Sequence, residues 1–229
     1  MSPRAGLEAI LFDAGGTLIH LDGPRVCRTA GVEADDGAFR SAEADSMAAM
    51  RAWILENPDS RDAERLPLFL DGILRRIALE DAGRRRIAAG AVAREHVRSN
   101  LWSRGGPGAH ETLAALKERG YRIAVVSNAD GRVRSLLDQA GLSPFLEVVI
   151  DSAEVGVEKP DPRIFFAATD RLGVAPTSCA YVGDIYEIDV VGARAAGMHP
   201  VLIGPGTVPE SGAPVDRVAT LTELLALFP

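Results

Sequence analysis

Apolar residues fall along this chain in two rhythms. In five places they form short, almost unbroken runs: EAILFDA (8–14), YRIAVVSNA (121–129), LEVVIDSA (146–153), SCAYVGD (178–184) and HPVLIG (199–204). Near-continuous runs of this length are the pattern of strands covered on both faces. Between and after the later runs the spacing lengthens to three and four residues. HETLAALKERG (110–120), DGRVRSLLDQAG (130–141) and PRIFFAATDRLG (162–173) each read as a helix closed by a glycine in the C′ position. IDVVGARAAG (188–197) and TLTELLALF (220–228) read as two more. Strands alternating with helices predict a parallel sheet with right-handed crossovers, a doubly wound, Rossmann-like α/β fold.

From about Leu21 to Trp102 the first rhythm stops. PRVCRTAG, FRSAEADSMAAMRAWILE, LPLFLDGILRRIALED and GRRRIAAGAVAREHVRSNLW repeat their apolar residues at helical spacing, so each has one face to bury. The expected organisation is an α/β core of residues 1–20 and 103–229, with an all-helical domain, 21–102, inserted after the first strand. NPDSRD (57–62) reads as a loop within the insert, and SRGGPG (103–108) as a flexible hinge on the return. There is no internal repeat and no low-complexity tract.

Composition narrows the function classes. The net charge of −7 and pI near 5.2 argue against a nucleic-acid or anionic-membrane partner, which needs a basic face. They leave room for a small anionic ligand held by a few local cations. Cys27 and Cys179 are far apart and match no metal-ligand spacing, so they read as reduced thiols of a cytoplasmic protein. Asp13 interrupts the only early apolar run, which argues against a signal peptide. No stretch approaches the roughly 20 apolar residues of a membrane-spanning helix.

In doubly wound sheets a ligand sits beyond the carboxyl ends of the strands. The polar residues that fall there are Asp13 after the first run, Ser127 and Asn128 after the second, Asp151 and Ser152 after the third, and Asp184 after the fourth. Asp189 follows about a turn later, and Lys159 lies in EKPDPRIF just before a helix. Singly, such residues have plain uses: aspartates cap helices, and Ser-Asn pairs form turns. Lys159 is more specific. Only it and Lys117 are lysines among 25 basic residues, and Lys117 belongs to an amphipathic helix. A lysine kept where a compact point charge is wanted reads as functional.

Taken in order, FDAGGTL, VVSN, EKPDPRIF and VGDIYEIDVVGARAAGM resemble the four motifs of the haloacid dehalogenase superfamily of hydrolases, most of which are phosphatases. The helical insert resembles the family's cap, so the resemblance covers nearly the whole chain. It implies Asp13 as nucleophile and Mg²⁺ ligand, with the Gly15 backbone carbonyl and Asp184 as further ligands and Asp189 binding directly or through water. It implies Ser127 as a hydrogen-bond donor to the phosphoryl group and Lys159 as the cation that neutralises nucleophile and phosphate. Gly16, Thr17 and Asn128 complete the substrate-binding loops, Thr17 by bonding or stiffening the nucleophile loop. The implied partner is a small phosphorylated metabolite, hydrolysed through an aspartyl-phosphate by a monomer or small homo-oligomer. The chemistry is coherent: a carboxylate must approach an anionic phosphate, and Mg²⁺, hard and content with two carboxylates plus waters, relieves that repulsion. The cap is expected to close over the site through hinges near Leu21 and SRGGPG, excluding water.

Gly15 departs from the pattern. The family's phosphatases usually carry a second aspartate there, which protonates the leaving group and then activates water. Four readings follow. The first is a phosphatase whose acid is missing or borrowed from His20, Asp22, Glu187 or a cap residue. The second is a metal-independent 2-haloacid dehalogenase, which needs no such acid because halide leaves without a proton. The third, a relative of phosphonoacetaldehyde hydrolase, fails because residues 18–109 contain no lysine to form the required Schiff base. The fourth is a non-catalytic ligand-binding or regulatory protein, against which the joint presence of Asp13, Lys159, Asp184 and Asp189 argues. The first is the reading carried forward.

Overall fold

The unbroken apolar runs become five of the six strands of the main sheet. A computed structural model describes residues 6–77, 79–205, 208 and 212–229. Its strands are β1 (Ala9–Phe12), β2 (Ile19–Leu21), β3 (Trp102–Gly105), β4 (Arg122–Ser127), β5 (Val148–Asp151), β6 (Cys179–Gly183), β7 (His199–Ile203) and β8 (Asp216–Val218). Six of them form one sheet in the order β5-β4-β1-β6-β7-β8, and each of these pairings is parallel. β1 is fully buried and pairs Ala9 with Arg122 on one side and Cys179 on the other. The chain order runs outward in both directions from β1, so the switch point lies beyond the end of β1, at Asp13. The expected doubly wound α/β fold is what forms.

The helices of this part are α5 (Ala109–Glu118), α6 (Val133–Gln139), α7 (Ser152–Val155), α8 (Pro162–Leu172), α9 (Val191–Ala195) and α10 (Leu224–Leu227). α8 shows how sequence sets both the element and the site. The Asp161 carboxylate accepts the Arg163 N–H at 3.0 Å, Pro162 opens the first turn, and Gly173 closes the last at φ +68°. Its buried stripe of Ile164, Phe165, Ala168 and Leu172 packs with Leu11, Val126, Ile150 and Tyr181 of the sheet. Burial of Phe165 alone is worth about 2–3 kcal/mol. The packing therefore fixes where α8 begins, and Lys159 stands three residues ahead of it.

Residues 21–102 give α1 (Gly23–Ala30), α2 (Asp36–Glu56), α3 (Asp62–Arg76) and α4 (Ala82–Arg98). α2 packs on α3, α3 on α4, and α1 on α4. Phe39, Ala42, Met50 and Ile54 form the buried stripe of α2, and Phe69, Leu70, Ile73 and Leu74 that of α3. The chain divides into two compact units, Met1–His20 with Ser103–Pro229, and Leu21–Trp102.

Two local readings change. Ser103–Gly105, expected in a flexible hinge, lie in β3, which pairs with β2. The Gly106 N–H donates to the Leu18 carbonyl at 2.8 Å, so these segments satisfy one another's backbone groups. IDVVGARAAG is not one α-helix: a π-helical turn, Tyr186–Val190, precedes α9. Both thiols are free and buried, and among the described residues no helix is long and apolar enough to cross a membrane.

Candidate active site

Asp13 leaves the end of β1 with its N–H donated to the Val182 carbonyl at 2.8 Å, and the residue is only 6% exposed. The chain then turns sharply. The Ala14 carbonyl accepts the N–H groups of Leu18 and Ile19, each at 2.9 Å, and Gly16 N–H donates to Ile19 O at 2.8 Å. Gly16 is required twice. Its φ is +84°, and a Cβ there would lie 2.8 Å from Asp184 Oδ2 and 3.3 Å from Oδ1. Asp184, which follows β6, thus rests directly against the loop that carries Asp13. Thr17 is buried with its hydroxyl unpartnered among the described residues, and no described backbone N–H reaches the Gly15 carbonyl.

Lys159 is 3% exposed. Its ammonium donates to Asp13 Oδ1 at 2.6 Å, Tyr181 Oη at 2.8 Å and Asp189 Oδ1 at 2.8 Å. Three protons meet three acceptors. Asn128 clamps the Lys159 backbone from both sides: Oδ1 accepts the lysine N–H at 2.7 Å, and Nδ2 donates to its carbonyl at 3.0 Å. The Lys159–Pro160 peptide is cis.

Asp189 is placed by the π-helical turn. Its Oδ2 accepts the Ile185 N–H at 2.9 Å while Oδ1 faces Lys159. Gly183 makes room for it, since a Cβ there would fall 2.3 Å from Asp189 Cγ. Ser127 is buried at the end of β4, and among the described residues its hydroxyl makes only a long 3.4 Å contact with the Asn128 carbonyl.

Asp151 and Ser152 do not join this group. Asp151 accepts the N–H groups of Gly131 at 2.9 Å and Ala153 at 2.9 Å, and Ser152 Oγ accepts Ala129 N–H at 3.0 Å. They hold the loop after β4. Asp22, one of the suggested substitute acids, caps α1 by accepting Arg25 N–H at 3.1 Å. The residue that sequence reasoning missed is Tyr181. It lies inside the apolar run SCAYVGD, where its only signal is a polar tip in an otherwise buried strand.

Charge balance explains the electrostatics. Burial pushes the Asp13 carboxyl up; Lys159 pulls it back and Asp189 pushes it up again, leaving it at about 6 against an ordinary 3.8. Burial opposes the charge on Lys159, but Asp13 and Asp189 together outweigh it and hold the ammonium well above its usual range. Burial raises the Tyr181 phenol well above its ordinary value, so it stays neutral. Two carboxylates share one cation, and Asp13 is left with a surplus of negative charge beside it.

Among the described residues no three His, Cys, Asp or Glu side chains gather into a set that could by itself hold a metal ion. The donors at the Asp13 loop are of another kind: the carboxylates of Asp13 and Asp184 and the Gly15 carbonyl, which no described backbone N–H reaches. The Asp184 carboxylate occupies the cradle that a Cβ on Gly16 would fill, one residue along the loop from Gly15. An all-oxygen set of this kind fits Mg²⁺, which keeps several waters of its own.

Comparison with known proteins gives the family. The family model for haloacid dehalogenase-like hydrolases matches residues 7–197. The haloacid dehalogenase-like hydrolase domain-containing protein 3 of Mus musculus is 43% identical over 111 residues, 48% of this chain and 44% of that protein. The phosphoserine phosphatase of Thermus thermophilus is 40% identical over 156 residues, 65% of this chain and 61% of that enzyme. The chain thus spans about half the length of the curated relatives it matches. A crystal structure of a dehalogenase with an intermediate complex is 28% identical, with a TM-score of 0.67 and 98% of each chain covered. With a family match over most of its length and these side chains gathered at the sheet's switch point, the chain belongs to the haloacid dehalogenase-like hydrolases.

Proposed function

We propose that this protein is a Mg²⁺-dependent phosphatase that acts on a small phosphorylated metabolite through an aspartyl-phosphate at Asp13. The observation that carries the reading is the pairing of a buried Asp13 with Lys159 at 2.6 Å, beside a second carboxylate packed on the nucleophile's own loop. A phosphatase relative supports it.

Asp13, Asp184 and the Gly15 carbonyl would hold the ion, which when bound offsets the repulsion between carboxylate and phosphate. One Asp13 oxygen attacks phosphorus, the bond to the leaving oxygen breaks, and that oxygen departs with its electron pair. Water then attacks the phosphorus of the aspartyl-phosphate, releasing phosphate and restoring Asp13. Lys159 keeps Asp13 oriented and offsets charge as it transfers to the phosphoryl oxygens. Ser127, whose hydroxyl has no close partner among the described residues, donates to one of those oxygens, and Gly16, Thr17 and Asn128 shape the loops around them. Asp189 was expected among the metal ligands. Its Oδ1 accepts from Lys159 and its Oδ2 from the Ile185 N–H, so we assign it first to positioning the lysine, with contact to the metal through water.

Gly15 leaves the leaving group without a carboxylic acid, a group whose general acid–base action typically contributes about 10² to 10⁴-fold. Aryl and acyl phosphates, whose leaving groups need no proton, are expected to turn over at least about tenfold faster than alkyl phosphates. Gly15→Asp is expected to narrow that gap and speed dephosphorylation of Asp13. Steady-state rates on p-nitrophenyl phosphate and an alkyl phosphate, with single-turnover decay of the phosphoenzyme, check both; equal rates on the two substrates count against the reading.

A dehalogenase reading draws on the 28%-identical dehalogenase structure and on Gly15 itself. It requires chloride release from a haloacid in the presence of EDTA.

A further inference from the structure

The Tyr181 hydroxyl is a polar group that the reaction above does not use. The side chain is completely buried, its ring packed edge-on against Phe165 with centroids 4.9 Å apart. Phenylalanine would fill the same space. A buried hydroxyl without partners is a liability of about 1–3 kcal/mol, so its contacts are the reason it can be there. It accepts the third ammonium proton of Lys159 at 2.8 Å and donates its own to the Val126 carbonyl at 2.9 Å, with Asp189 Oδ1 further off at 3.3 Å.

The arrangement has a directional consequence. Lysine is a point charge on a flexible four-carbon stem. Two acceptors, Asp13 and Asp189, leave an ammonium free to pivot about the line between them. A third acceptor off that line fixes all three N–H directions. Tyr181 is that acceptor, and it is itself held by the carbonyl of the residue before Ser127. Because the acceptor is neutral, it fixes the lysine without adding a third negative charge to a cluster that already has two carboxylates.

We propose that Tyr181 is a positioning residue that aims the Lys159 ammonium at Asp13 Oδ1 and couples it to the end of β4. The proposal rests on the phosphatase reading for its kinetic consequence but not for its hydrogen bond. Aim matters to rate because a small displacement of a positioned group costs catalysis disproportionately.

The test is Tyr181→Phe in the full chain, read in two ways. With Mg²⁺ and p-nitrophenyl phosphate, kcat is expected to fall about tenfold while KM stays within about twofold, since the aim and not the binding surface is altered. The second readout uses the lysine count. Lys117 and Lys159 are the only lysines, so ¹⁵N-lysine labelling gives two ammonium signals. The buried one belongs to Lys159, and its hydrogen exchange is expected to accelerate at least about tenfold in the variant. Exchange within about twofold of wild type overturns the proposal, as does faster exchange with kcat unchanged. If the wild type hydrolyses no p-nitrophenyl phosphate, the phosphatase reading fails. The exchange measurement then decides alone: acceleration supports the fixed ammonium, and no change overturns it.

Discussion

Lys159→Met is expected to abolish turnover and to destabilise the fold by about 3–5 kcal/mol at neutral pH, because it strands two buried carboxylates. Asp13 and Asp189 are 6% and 2% exposed, and both face the ammonium that the substitution removes. Methionine nearly matches the volume of the stem, so the loss is one of charge and hydrogen bonding, not of packing. The sign with pH identifies the cause. Without the lysine, burial and mutual repulsion raise the Asp13 carboxyl further above its unfolded value. An acid raised in this way stabilises the fold when protonated, and that contribution is lost as pH rises through the folded pKa. The deficit of Lys159→Met relative to wild type is therefore expected to be largest near about pH 8 and to shrink towards about pH 5. Urea midpoints at the two pH values check this. A deficit that does not vary with pH would mean that lost packing, and not stranded charge, is responsible.

Asp13→Asn is expected to remove activity by about 10⁴-fold or more, as deletion of a nucleophile does, while making the metal-free protein more stable. The second half follows from the surplus charge. The Asp13 carboxyl lies at about 6 in the fold against an ordinary 3.8, a difference worth at most about 3 kcal/mol. The sign is that of a raised acid. Stability is fully present below the unfolded pKa and declines as pH rises from about 4 through about 6, where Asp13 ionises. Asparagine keeps the shape without the charge, so the variant is expected to escape that decline. Thermal melts in EDTA across this range, wild type beside Asp13→Asn, measure it. Mg²⁺ is expected to restore the wild type, with an affinity that weakens below about pH 6 as protons compete for Asp13. Such opposition between activity and stability is the general expectation for a functional site.

Much of the fold was legible because burial leaves a periodic trace. The runs around Leu11, Val125, Ile150, Tyr181 and Leu202 marked five of the six strands of the main sheet because both faces of each are covered. β2, β3 and β8 left no such trace. They have three or four residues each, and pairing of backbone groups defines them more than any pattern of side chains does. That is also why Ser103–Gly105 read as hinge. The glycines and the proline of SRGGPG are loop residues by composition, yet three of its residues complete a strand.

The site was legible where position alone was informative. Asp13, Ser127, Lys159 and Asp184 stood out because they fall at strand ends or just before a helix. The same rule also picked out Asp151 and Ser152, which hold the neighbouring loop instead. Position at a strand end does not by itself separate a capping aspartate from one turned into the site, since both follow a buried strand; only the resemblance of FDAGGTL to a family motif set Asp13 apart. Asp189 was visible but its use was not. The π-helical turn that points it at Lys159 is a backbone event with no sequence period of its own. Tyr181 was hidden because a strand buried on both faces reads as uniformly apolar, and an aromatic ring fits that pattern whether or not its hydroxyl is employed.

The central claim is that Asp13 works as a metal-assisted phosphoryl acceptor. The most direct measurement is hydrolysis of p-nitrophenyl phosphate and of 2-chloropropionate side by side, with Mg²⁺ and with EDTA, using Asp13→Asn as the blank. Phosphate release that requires both Mg²⁺ and Asp13, with no chloride release, is the result predicted. Chloride release that survives EDTA and is lost in Asp13→Asn would contradict the account: Gly15 would then mark a dehalogenase, and Asp184 would have another use than holding a metal.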